Sequence, residues 1–146
     1  LGNTFRNLSE HHGRICACFQ LYQRTDGLSL LRCHVAHGAG LAAVWGSWAR
    51  YVMDEKPERF AQFAVNVMGV EECEDIKATA IKGIEAVEDF YREIEMPTNL
   101  KELGIDPTDE QIKDMAMKAT NNDTQQLGAF KKLSAKDLVE IYTAAK

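Results

Sequence analysis

From residue 34 to the end of the chain, apolar positions recur at three- and four-residue steps, the spacing of a helix with one buried stripe. Leu41, Val44, Trp45, Trp48, Tyr51 and Val52 predict a first helix over Gly38–Met53, with Ala42, Ala43 and Ala49 permitting close packing. Pro57 opens a second, because a missing N–H costs nothing in a first turn. Phe60, Phe63, Ala64, Val67 and Met68 make its face, and Gly69 stops it. A third and longest helix is predicted over Glu72–Glu95, with Ile76, Ala80, Ile84, Val87, Phe90, Tyr91 and Ile94 inward and Pro97 beyond its end. The connector Asn99–Ile105 turns Leu100, Leu103 and Ile105 toward the core. Thr108 and Gln111 form a capping-box pattern ahead of Ile112, Met115, Ala116 and Ala119. After the polar loop Asn121–Thr124, Ser134 opens a last helix carrying Leu138, Ile141 and Tyr142. No segment alternates as a strand does, so the expected fold is an all-α bundle of about five helices.

Residues 1–34 show no comparable period, and they read as an irregular leader in front of a helical domain over 35–146. The whole is 146 residues, enough for one core. Its 17 Lys and Arg against 22 Asp and Glu form no basic tract, which argues against a grip on nucleic acid. The longest mainly apolar stretch, Gly38–Trp48, is too short to span a bilayer, and no secretory signal is visible. A cytoplasmic chain is expected. Leu1 in place of Met raises the expectation of a piece of a longer protein. Cys16, Cys18, Cys33 and Cys73 do not space like a disulfide framework and are read as reduced thiols.

Candidate chemistry rests on His11, His12, His34 and His37. His34 and His37, three apart, would share a metal on one helical face, or else sit as polar residues at the ragged start of the first helix. Cys16, Cys18, Cys33 and His34 make a zinc set of the wrong spacing, since a one-residue gap rarely lets two thiolates take adjacent tetrahedral corners. His37-Gly38-Ala39-Gly40 lacks the third glycine and the preceding strand of a phosphate loop, and no serine nucleophile elbow is present. The carboxylates Glu71, Glu72, Glu74 and Asp75 suit a solvated helix start.

Several strings taken together resemble the iron-containing alcohol dehydrogenases, particularly their NAD(P)-dependent butanol dehydrogenase branch. They are Val35-Ala36-His37-Gly38-Ala39-Gly40-Leu41-Ala42, Pro57-Glu58-Arg59-Phe60-Ala61-Gln62-Phe63-Ala64, and Met96-Pro97-Thr98-Asn99-Leu100 ahead of Leu103-Gly104-Ile105. Gly128-x-Phe130 and Asp137-Leu138-Val139-Glu140-Ile141-Tyr142 close the series. The resemblance implies the helical, dehydroquinate synthase-like C-terminal domain of an enzyme whose N-terminal domain binds the nucleotide. It implies Fe²⁺, or Zn²⁺ in some members, held by one aspartate and three histidines, with His37 matching the last histidine. Such an ion acts as a Lewis acid on the oxygen of a primary alcohol or aldehyde while hydride passes to or from NAD(P). A homo-oligomer is also implied.

The chain departs from that pattern upstream of His37. Gln23 and Gly27 stand where the family places a histidine and the start of a second histidine motif, and the remaining ligands fall before Leu1. One imidazole cannot hold a labile ion tightly, so the chain by itself is expected to bind neither metal nor nucleotide firmly and to be inactive. Residues 1–34 read either as a frameshifted segment or as a divergent leader. Leu31-Arg32-Cys33 written CTA-CGA-TGT gives Tyr-Asp-Val one base over, the kind of run the family places before this histidine. A helical domain parted from its partner would expose an apolar face and be sticky. The competing class is a non-enzymatic helical interaction module that uses such a face.

Overall fold

A computed structural model describes residues 36–146. It contains α1 (His37–Val52), a 3₁₀ turn (Met53–Glu55), α2 (Pro57–Asn66), α3 (Ile76–Glu93), α4 (Asp109–Ala119) and α5 (Ala135–Ala144). Among the described residues the extended structure is a single antiparallel bridge, Leu127 to Leu133. The all-α expectation of about five helices holds.

Local chemistry sets most helix starts. Pro57 occupies the first turn of α2. Thr108 and Gln111 cap α4 reciprocally, and Ser134 and Asp137 do the same for α5, so each box satisfies two donors that a helix start leaves orphaned. The third helix begins four residues later than its acidic prelude suggested. Asp75 is its N-cap, with Oδ1 accepting from the Lys77 amide at 2.9 Å, and Glu71–Glu74 lie outside it. Carboxylates here complement the helix end from the loop rather than from within the first turn. At the other end, Ile94 follows the last helical residue and Glu95 turns left-handed at φ 58°.

The core joins all five helices through Ala43, Val52, Ile84, Leu100, Ile112, Leu133, Leu138 and Tyr142. The buried side of α1 differs from the expected one. Its most enclosed residues are Ala42, Ala43, Val44, Gly46, Ala49 and Val52, whereas Leu41, Trp45, Trp48 and Tyr51 are half-buried. Small residues let the neighbouring helices come close, and the aromatic rings then wrap the flanks of the contact. Trp48 and Phe130 both stack against Phe60, with ring centroids 6.5 and 5.4 Å apart.

The α2–α3 crossing is the tightest of these approaches. A Cβ placed on Gly83 would lie 2.3 Å from the Cβ of Ala64, so the two backbones nearly touch. Because α2 has 10 residues and α3 has 18, α3 overhangs its partner. Ile76, Phe90 and Ile94, expected inside, are therefore 45%, 48% and 50% exposed at its two ends. Val67, just past the end of α2, is likewise exposed. The apolar period was read correctly, but the stripe outruns what covers it.

Candidate functional site

His37 is the first residue of α1. The helix starts there because Ala36 is extended (φ −57°, ψ 135°) and its carbonyl accepts from the amides of Ala39 and Gly40 at 3.0 and 3.2 Å. No side chain caps this end and no acidic residue lies in the first turn, so its partial positive charge is not offset from within the helix. Gly38 keeps the turn slim. A Cβ there would sit 3.6 Å from the Met96 methyl, which places Met96 directly on the first turn of α1.

Met96 reaches that position because α1 and α3 run antiparallel. Gly38 meets Met96, Trp45 stacks edge-to-face on Tyr91 at 6.1 Å, and Arg50 clasps Glu88. The left-handed Glu95 folds the chain back, and the Met96 amide closes on the Tyr91 carbonyl at 2.7 Å. The C-terminal end of α3, with its exposed Phe90 and Ile94, thus lies toward the same end of the molecule as His37. The spacing of residues gave no sign of this role for Met96.

Nearer the other end of α1 is an open groove of about 520 Å³, bordered by Ser47, Arg50, Tyr51, Glu88, Arg92 and Asn99. Its guanidiniums are already engaged. Arg50 makes a bidentate pair with Glu88 (2.5 and 2.8 Å), and Arg92 bonds Asp89 at 2.7 Å. The hydrogen bond from Glu88 raises the pKa of Arg50, so the pair stays charged. The groove is an ion-paired seam between α1 and α3.

Tyr51 ties the end of α1 to the start of α5. Its hydroxyl donates to Asp137 Oδ1 at 2.5 Å, and Lys131 Nζ lies 4.8 Å above its ring. The bond to Asp137 is the main reason the Tyr51 phenol titrates well above its ordinary range. Asp137 also accepts from the Ser134 amide and hydroxyl, at 2.7 and 2.6 Å. Burial alone would raise the Asp137 pKa, but these bonds to the charged form outweigh it and hold the group below its usual value. The stability that Asp137 supplies is therefore complete above the unfolded carboxylate pKa of about 3.9 and is lost as pH falls through the lower folded value. Replacing Asp137 with Asn should cost about 2 kcal/mol at pH 7, and the penalty should shrink toward pH 3. Urea titrations at both pH values check this; an equal penalty at both contradicts it.

His37 is the one candidate site residue within the described range, at the head of α1, where the helical reading put it. His11, His12, His34, Cys16, Cys18, Cys33, Gln23, Gly27 and the 1–34 leader lie outside the described residues, as does the His37 side chain. Among the described residues no group of three or more His, Cys, Asp or Glu side chains could hold a metal ion. The described residues therefore do not by themselves fit an iron or zinc site. No described helix is long and apolar enough to cross a membrane.

Comparison with known proteins gives these features a setting. Residues 31–146 match the Fe-containing alcohol dehydrogenase family, C-terminal. The NADH-dependent butanol dehydrogenase A of Clostridium acetobutylicum is 27% identical over 109 residues, which is 74% of this chain and 28% of that protein. The probable NADH-dependent butanol dehydrogenase 2 of Bacillus subtilis is 28% identical over 113 residues, 76% of this chain and 28% of that one. Among solved structures, NADH-dependent butanol dehydrogenase A from Thermotoga maritima superposes with a TM-score of 0.70 at 28% identity, over 90% of this chain and 31% of its own. A 1,3-propanediol oxidoreductase shares the fold, with a TM-score of 0.69 at 24% identity. The chain thus spans under a third of the length of these relatives. Over four fifths of its described helices follow one continuous match that begins just before His37, and the chain belongs to the Fe-containing alcohol dehydrogenase family, as its C-terminal helical part.

Proposed function

We propose that the chain is the helical portion of a metal-dependent alcohol dehydrogenase that interconverts primary alcohols and aldehydes with NAD(P). The observation that carries this reading is the family match over residues 31–146, which takes in all five helices and the histidine at the head of the first. His37 is proposed as one imidazole ligand of Fe²⁺ or Zn²⁺ in the whole enzyme. A neutral ring nitrogen suits such an ion, and a helix terminus fixes where the ring's backbone sits. The nucleotide is assigned to an N-terminal domain that these 146 residues do not include, and the enzyme to a homo-oligomer of the cytoplasm. The butanol dehydrogenase relatives favour this over a non-enzymatic helical interaction module.

Since the described residues bring no second ligand to His37, the isolated chain is proposed to hold no ion tightly and to be inactive. Purified chain loaded anaerobically with ferrous iron or zinc, desalted, and mixed with butanol and either NAD or NADP checks both points. Metal should be lost on desalting, and nucleotide reduction should not exceed that of buffer. Retention of one ion per chain together with turnover overturns the proposal. Translating the coding DNA upstream of His37 in all three frames tests the parent reading separately. It should yield a His-x₃-His string and a nucleotide-binding domain, and their absence counts against it.

A further inference from the structure

The loop that leads into α3 brings a thiol and an amine into contact. Cys73 Sγ lies 3.0 Å from Lys82 Nζ, on the second turn of α3. Both partners are anchored by buried neighbours. The Cys73 amide donates to Thr79 Oγ1 at 2.9 Å, and Thr79 is fully enclosed in α3. The Thr79 hydroxyl also bonds the Asp75 carbonyl at 3.2 Å, which fixes the path of the loop onto the helix. Lys82 immediately precedes Gly83, whose seat on Ala64 sets the rotation of α3. Only side-chain torsions separate the sulfur from the nitrogen. Cys73 is half-buried and Lys82 exposed, so a small oxidant can reach the sulfur.

We propose that Cys73 and Lys82 form an oxidative modification site, in which a peroxide converts Cys73 to a sulfenic acid and Lys82 Nζ then bonds the sulfur as a sulfenamide. In the first step the thiol loses two electrons, the sulfur takes one oxygen from hydrogen peroxide, and water is released. In the second, the amine nitrogen attacks the sulfur and an S–N bond replaces the S–O bond. The hydroxyl leaves as water with a proton from the nitrogen. The net change is one thiol, one amine and one hydrogen peroxide giving the cross-link and two waters. Sulfenic acids condense readily with a nucleophile held beside them, and the product is restored by thiols. Hydrogen bonding to Cys73 holds the Lys82 ammonium above its ordinary pKa, so the second step also releases that group's extra proton to solvent. The link would staple the loop to the second turn of α3 and shield the sulfur from irreversible over-oxidation. The site lies at the opposite end of α3 from Met96, apart from the end that carries His37.

Tryptic mapping of the 146-residue chain after mild hydrogen peroxide treatment tests this. Peptide 60–77, which contains Cys73, should appear joined to peptide 78–92, uncleaved at Lys82 and two hydrogens lighter than the sum of the two. Dithiothreitol should separate them, and neither C73S nor K82R should give the linked species. Four outcomes overturn the proposal: Cys73 carried on to sulfinic acid with Lys82 still cleaved, a disulfide to another cysteine, a link from Cys73 to a different lysine, or a linked pair that retains an oxygen.

Discussion

Gly83→Ala, the smallest change available at that position, is expected to cost about 3 kcal/mol, the upper end of what overpacking does to a close-fitted core. The new methyl would lie 2.3 Å from Ala64 Cβ and 2.9 Å from Ala64 Cα. The nearer atom is a short, rigid side chain and the other is backbone, so neither can swing aside. Relief requires α2 and α3 to part, which opens the packing around Phe60, Ala80 and Ile84. In urea titrations followed by circular dichroism the midpoint should fall with an unchanged slope. Ala64→Gly in the same chain should recover most of the loss, because it removes the methyl that the new one meets. If Gly83→Ala is neutral, or Ala64→Gly rescues nothing, the two helices do not approach as closely as described.

Leu100→Ala is expected to cost about 4 kcal/mol, well into the range for deleting a fully enclosed leucine. Leu100 is completely buried in the short connector between α3 and α4. Its amide donates to the Ala145 carbonyl at 2.7 Å, and its own carbonyl accepts from the Ile105 amide at 2.9 Å. The side chain therefore fills the core from a segment that also fastens the end of α5. A cavity left there loses contact with several helices and loosens the backbone that ties the C-terminus in place. Thermal unfolding measures the first effect. Faster amide exchange at Leu100 than in the unmutated chain measures the second. A loss below 1 kcal/mol would mean that the connector collapses into the gap and Leu100 is no anchor.

Much of this architecture was legible in the residues because helix ends are written in short-range chemistry. Pro57, the Thr108–Gln111 pair and Ser134 each satisfy or spare a terminal amide, and each marks its helix where the structure has it. What the sequence did not reveal depends on partners distant along the chain. The acidic run before α3 reads as helix in isolation, yet Thr79 draws the Cys73 backbone into a loop and leaves Asp75 to cap. Tryptophans at helical spacing look like a core stripe. The close approach in fact runs along Ala43, Gly46 and Ala49, and the rings settle on its margins. Phe90 and Ile94 keep the period of the buried face, and only the lengths of α2 and α3 reveal that they overhang.

The site divides the same way. His37 drew attention through the string around it, and helix geometry alone could not have distinguished it from a polar residue at a ragged start. Asp137 reads as an ordinary capping residue. Its second bond, to Tyr51 on a helix 86 positions earlier, is invisible until the chain is folded. Met96 likewise acquires its place on the first turn of α1 only through the antiparallel run of α1 against α3.

The bare start of α1 sets it apart from the other helices. α3, α4 and α5 begin on side-chain caps, and α2 begins on a proline; each carries its own reinforcement. The turn that opens with His37 carries two glycines and no such aid, and takes its support from Met96 across the fold. Its order is borrowed from its surroundings, so the shape of that corner follows whatever is built against it.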